Sequence, residues 1–175
     1  HKNYCAGSQN VSVTITNYGT SSLTSVNVGW KVNGTSQTAY SWTGTLTSGS
    51  TVTVNIGTYN FVSGTYSIKA WTYKPNGSTD QNFKNDTNYA NNLSMGMTGT
   101  YTINPSGSGS INFTSFNAAV TALTAGGLCG PVIFKVSNGT YTEHVVIGAI
   151  INSSSTNTVT FTGTQNDSDL VVLQY

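Results

Sequence analysis

Residues 25–34 read SVNVGWKVNG. Val26, Val28, Trp30 and Val32 occupy alternate positions, so an extended chain places all four on one face. Asn33-Gly34 follows as a hairpin turn, because both residues tolerate the positive φ such a turn needs. The stretch is therefore a strand with one buried face, closed by a tight reversal.

The same period continues on both sides. In QNVSVTIT, Val11, Val13 and Ile15 share a face, and in STVTVNIG the face is Val52, Val54 and Ile56. In GTYSIKAWTY, Tyr66, Ile68 and Ala70 form one row, and Lys69, Trp71 and Tyr73 form the other. Asn17-Tyr18-Gly19, Ser48-Gly49, Ser63-Gly64 and Pro75-Asn76-Gly77 punctuate the runs. Short strands at this spacing, with no helical segment among them, predict an antiparallel sandwich.

The pattern breaks at NYANNLSMGMTG, residues 88–99, which reads as a domain edge and sets the expected domains at 1–93 and 94–175. After a strand at 101–103, FTSFNAAVTALTAGG places Phe116, Val120 and Leu123 on one helical face. Thr114 or Ser115 can cap this helix, and Gly126-Gly127 can end it. Strands are expected again at 132–136, 141–147, 158–162 and 170–174, divided by turns at 138–139, 152–155 and 166–169. One helix ahead of many short strands predicts a solenoid whose end the helix covers. The expected class is all-β.

Composition narrows the function. Ser, Thr and Asn number 22, 29 and 20, whereas six Lys, no Arg and five acids leave a net charge of +1. So few cations cannot track a phosphate backbone, which excludes nucleic acid as a partner. The longest apolar run, 145–151, falls well short of the ~18 residues of a membrane span, so no membrane insertion is expected. Hydrophobic residues at 37% suffice for a core and argue against disorder. The residue is a hydroxyl-coated chain of extracellular composition. Cys5 and Cys129 read first as two buried or partly buried thiols, with a long-range disulfide as the other reading; no zinc spacing surrounds them. HKNYCAGSQN lacks the features of a signal peptide and DLVVLQY stops inside an apolar strand, so an internal segment of a longer protein is expected.

CAGSQNVSVTITNYGT, VGWKVNG, LTSGSTVTV and GTYSIKAWTYKPNGSTDQNFKNDT together resemble the bacterial immunoglobulin-like domains called cell-adhesion-related domains. The resemblance makes Trp30 the buried strand-C tryptophan and Tyr66 a tyrosine corner, with Ile68 and Ile15 or Val13 in place of the usual disulfide pair. GTYTINPSG, FTSFNAAVTAL, GPVIFKVSNGTYTEHVVI and TNTVTFTG resemble the capped opening of right-handed parallel β-helices in large secreted proteins of the Bacteroidota type. That resemblance implies export by the type IX system and a place on, or release from, the cell surface.

The candidate chemistry is thin. Glu143-His144 is the one adjacent acid and imidazole, but no second carboxylate lies near it in sequence, and a structural role is expected. Asp80, Asn82, Asn85 and Asp86 offer oxygen ligands to a weak calcium site, against the plainer reading of a polar loop that caps itself. No other cofactor is expected. Trp71, Tyr73 and Trp42 are candidates for stacking on sugar rings, against cross-strand packing or an interdomain contact. Thr158, Thr160, Thr162 and Thr164 share an ordinary exposed β face, and triplets such as Asn33-Gly34-Thr35, Asn76-Gly77-Ser78 and Asn138-Gly139-Thr140 follow from composition. Leu170, Val171, Val172 and Leu173 are expected to form an edge that recruits another chain.

These readings converge on a non-catalytic structural or adhesion segment of a secreted or surface bacterial protein. Its expected partners are neighbouring domains, copies of the same protein and extracellular polysaccharide. The alternative is the accessory portion of a polysaccharide-degrading enzyme whose active coils lie beyond Tyr175.

Overall fold

The computed structural model describes residues 3–80, 82, 84–165 and 168–175; Asn166 and Asp167 of the last expected turn lie outside the described residues. The chain is all-β, with one α-helix among the described residues. It forms two compact units, residues 6–93 and residues 3–5 together with 94–175. No helix among the described residues is long and apolar enough to cross a membrane.

The first unit holds β2 (Gly7–Thr16), β3 (Leu23–Val32), β4 (Thr35–Ser36), β5 (Tyr40–Leu46), β6 (Thr51–Phe61), β7 (Tyr66–Tyr73) and most of β8 (Thr87–Met95). Antiparallel ladders set β7 between β8 and β3, and β3 also pairs with β4 and β5. A second antiparallel ladder joins β2 to β6. As the alternation requires, Val26, Val28, Trp30 and Val32 are all buried, with Ile15, Ile56, Phe61 and Tyr66. The Trp30 indole reaches β6, where a β-carbon on Gly57 would lie 2.8 Å from its ring. A bulge at this point shifts the β2–β6 register between Val11 and Ser12, so the inward parity on β6 passes from Ile56 to Phe61. The Asn33-Gly34 turn has φ of 46° and 82°, as a two-residue hairpin demands. Tyr66 Oη accepts from Val62 N at 3.2 Å, tying the strand start to the backbone four residues upstream.

The second unit draws its first strand from residues 3–5, far from its main stretch. β1 (Asn3–Tyr4) pairs in parallel with Ser94 and Met95 at the end of β8. Gly96 N donates to Tyr4 O at 2.9 Å, and Asn3 Nδ2 donates to Gly126 O at 2.6 Å. The expected boundary, 1–93, becomes 6–93 in the described residues: residues 3–5 group with the later half, where β1 finds its ladder partner.

β9 (Met97–Ile103), β10 (Asn112–Phe113), α1 (Phe116–Gly126), β11 (Leu128–Val136), β12 (Gly139–Thr142), β13 (Val159–Gly163) and β14 (Val171–Gln174) complete this unit. Every ladder in it is parallel: β10-β9-β11-β13 in one sheet and β12-β14 in another. Register aligns like with like, so Tyr101 stands beside Phe134 and Phe134 beside Phe161. With Phe113 these rings form a row, with centroids 4.9 Å apart for Phe134 and Phe161 and 5.8 Å for Tyr101 and Phe134. Phe134, Ile103, Leu128 and Val132 have no exposed surface. The helix adds Phe116, Ala119 and Leu123 to this core, and Phe116 also packs on Tyr141 and Phe161. Ser115 Oγ caps it by accepting from Ala118 N, and Gly127, at φ 65°, ends it with a bond to Leu123 O. The expected strand at 141–147 is shorter than its apolar residues suggest. Its ladder ends at Thr142 opposite Gln174, and Val146 and Ile147 are exposed.

Candidate functional site

The outward row of β7 carries Lys69, Trp71 and Tyr73, and the β3–β7 register sets them opposite Lys31, Gly29 and Asn27. Trp71 lies where Gly29 leaves room: a β-carbon there would sit 2.5 Å from the indole. No other residue at position 29 lets the ring approach the sheet so closely. Beyond β3 the segment after β4 forms a second wall. Gln37 N donates to Trp30 O at 3.0 Å, and Trp30 Nε1 donates to Thr38 O at 2.9 Å. Between the walls lies a groove of about 190 Å³, with Trp71 and Tyr73 on one side, Ser36, Gln37 and Ala39 on the other, and Gly29 between them.

Lys69 stands beside this groove, its Nζ 5.5 Å from the ring centroids of both Trp71 and Tyr89. β8 sets Tyr89 directly opposite Lys69 and Thr87 opposite Trp71. Neither Lys69 nor Lys31 forms an ion pair among the described residues. The alternation made Lys69, Trp71 and Tyr73 legible as one row, but the pairing of Lys69 with Lys31 depends on register, which no local pattern carries. Trp42 is a correction. It pairs with Val26 on the buried face, is 8% exposed, and packs against Gly44, so it belongs to the core and not to a stacking surface.

The Asp80–Asp86 loop is organised by its own side chains. Asp80 Oδ1 accepts from Asn82 N at 2.8 Å, and Asn82 Oδ1 accepts from Lys84 N at 3.3 Å. With its amide turned to donate, Asn85 reaches Asp86 Oδ1 at 3.3 Å. Burial, then the charge of Asp80 and a hydrogen bond with it, hold the Asp86 carboxyl above its ordinary range, and a bond from Thr72 opposes them. Among the described residues no three His, Cys, Asp or Glu side chains converge as a metal set.

Glu143 and His144 diverge. The Glu143 carboxylate accepts from Phe116 N at 3.0 Å and Asn117 N at 2.9 Å, so it caps the first turn of α1 from a distant loop. Its charge faces the positive end of the helix dipole. The same charge, after burial, raises the pKa of Tyr141, whose hydroxyl donates to Ser137 O at 2.9 Å and Ile103 O at 3.2 Å. His144 packs on Tyr175 with the rings tilted by 40° and centroids 4.5 Å apart. Glu143→Ala should therefore cost about 1–2 kcal/mol of stability in the second unit by losing both cap bonds; a thermal scan in which this variant melts with the wild type would contradict the capping role.

Cys5 and Cys129 are joined in a disulfide across 124 positions, which corrects the reading of two thiols. Both lie in the second unit. Asn33 and Asn76 spend their side-chain amides on Thr65 O and Ser22 O, so these two triplets serve as clips between strands. At the far side of the parallel ladders, β13 pairs only with β11 and β14 only with β12 among the described residues. Leu170, Val172 and Leu173 are exposed there, whereas Val171 turns onto the core. Comparison with protein-family models, curated proteins and solved structures finds nothing that matches this chain.

Proposed function

We propose that the chain is a non-catalytic structural and adhesion segment of a secreted or surface-displayed bacterial protein, in which an immunoglobulin-like sandwich is carried on the helix-covered opening of a parallel β-helix. The observation that carries this reading is the connectivity. Residues 6–93 leave the second unit after Cys5 and return to it at Ser94, beside the strand they left, and a disulfide holds the point of departure. A module inserted in this way is joined to its scaffold at both ends, and the bridge closes that junction covalently. Parallel ladders suit such a scaffold, because each coil is a platform for the next. The acid and imidazole best placed for chemistry are engaged in a helix cap and a tilted ring contact, which favours adhesion over hydrolysis.

The test has two arms. Incubated with insoluble plant, algal and host glycans, the chain should be retained on at least one while reducing-end and unsaturated-product assays stay at background. Turnover abolished by Glu143→Gln would overturn the reading, as would failure to be retained by any surface.

The exposed ladder edge supports copies of the chain as partners. Exposed apolar side chains beside unpaired backbone groups recruit strands. Val172→Asp with Leu173→Asp should abolish concentration-dependent association seen by sedimentation, since these side chains point outward. A wild-type chain that stays monomeric at about 1 mM, or a charged pair that associates as before, would remove this edge from the proposal.

A further inference from the structure

We infer that the Trp71 groove binds an acidic glycan, seating one pyranose ring against Trp71 and pairing its carboxylate or sulfate with Lys69 and Lys31. This specifies the ligand of the adhesion surface and so rests on that reading.

Three observations carry it. The first is the shelf. The Trp71 indole is settled against Gly29, so its position is defined by the sheet rather than by a mobile side chain. An aromatic ring held in this way presents an apolar surface to the C–H face of a sugar. Its groove, about 190 Å³, is of the order of one hexose ring and is walled by Gln37, Ser36 and Tyr73, whose amide and hydroxyls can bond sugar hydroxyls.

The second is the charge. Only eleven side chains of 175 carry Lys, Asp or Glu charge, yet the register sets two lysines directly opposite each other on this face. Like charges so placed destabilise a sheet, and what faces the Lys69 ammonium is the rings of Trp71 and Tyr89 rather than a carboxylate. A ligand that brings an anion removes the conflict. The third is the position of Lys69, whose ammonium is held between Trp71 and Tyr89 at 5.5 Å from each ring. The cation therefore lies over the Trp71 ring and leans toward β8, where an anionic group on a sugar seated beside Trp71 would meet it. Two lysines match one acidic group on one sugar. They do not match the phosphate array of a nucleic acid.

Calorimetric titration of the intact chain with oligogalacturonate, a sulfated galactose oligosaccharide and a cello-oligosaccharide tests the inference. At least one acidic probe should bind, and the neutral probe should bind at least about tenfold more weakly. Raising NaCl from about 50 to 500 mM should weaken the acidic probe several-fold, because screening shortens the reach of the lysines. The two acidic probes distinguish carboxylate from sulfate. Trp71→Ala should cost about tenfold in affinity, and Lys31→Gln with Lys69→Gln a similar factor together with the salt dependence. Gln37→Ala removes a side chain whose amide bonds only the neighbouring Thr35 O at 3.1 Å, keeps the backbone bond to Trp30 O, and should weaken binding about threefold. Tyr18→Ala, at an exposed turn away from the groove, should leave it unchanged.

Equal affinity for the neutral probe, binding indifferent to the lysine pair, or no heat with any probe at about 5 mM would overturn the inference. Retention on a glycan surface that survives Trp71→Ala and the lysine changes would overturn it while leaving the adhesion reading in place. Titration as expected with no retention on any surface would uphold it and count against adhesion.

Discussion

Trp30→Ala should destabilise the unit of residues 6–93 by about 3–5 kcal/mol, the range for truncating a buried large aromatic. Its ring is 3% exposed and fills the space between β3 and Gly57 on β6, so alanine leaves a cavity that two separate ladders would have to collapse together. The change also strands Thr38 O, which loses its indole donor, and loosens the segment that walls the groove. Trp71→Ala, on the half-buried outer row, should cost far less. Urea unfolding followed by circular dichroism separates the two. Equal losses would mean that the faces of β3 and β7 are assigned wrongly.

Replacing Cys5 and Cys129 by serine should remove up to about 5 kcal/mol from the second unit, the figure that loop-closure entropy assigns to a bridge spanning more than a hundred residues. The loss falls short of that figure to the extent that residues 6–93 remain folded when the second unit opens. Differential calorimetry of the oxidised chain against the double serine variant measures it, and coincident transitions would show that β1 is held by its ladder alone.

The bridge has a mechanical consequence of larger scale. Under tension applied at the two ends of the chain, the covalent path runs through residues 3–5, crosses the disulfide and continues from Cys129, so residues 6–128 carry no load. In single-molecule extension the oxidised chain should show no unfolding step for the first unit. Reduction should expose that step and lengthen the extended chain by roughly 400 Å, at about 3.5 Å for each released residue. A first-unit step with the bridge intact would contradict this path.

Period-two alternation alone placed most of the strands. In residues 25–34 each apolar side chain is buried where its parity puts it, because parity depends only on extended backbone geometry. The helix was legible for the same reason: Ser115, the Phe116, Val120 and Leu123 face and Gly127 are all local signals. The misses fall where geometry is not local. The bulge at Gly57 is invisible until β2 supplies the register. Trp42 looked like a surface aromatic beside Tyr40, and its pairing with Val26 turned it inward. Val145–147 kept the composition of a strand but lacked a ladder partner beyond Thr142.

What the sequence determined by itself was the all-β class, the break near residue 93, the burial of Trp30 and the outward row of Lys69, Trp71 and Tyr73. Each follows from alternation, turn chemistry or composition, which act over a few residues. No local signal places residues 3–5 in the later unit, brings Cys5 to Cys129, sets Glu143 on the helix beginning at Phe116 or puts Lys31 opposite Lys69. These are pairings between distant positions. They are chosen by which backbone groups and buried surfaces remain unsatisfied once the local strands have formed, and that competition is settled in space rather than along the chain.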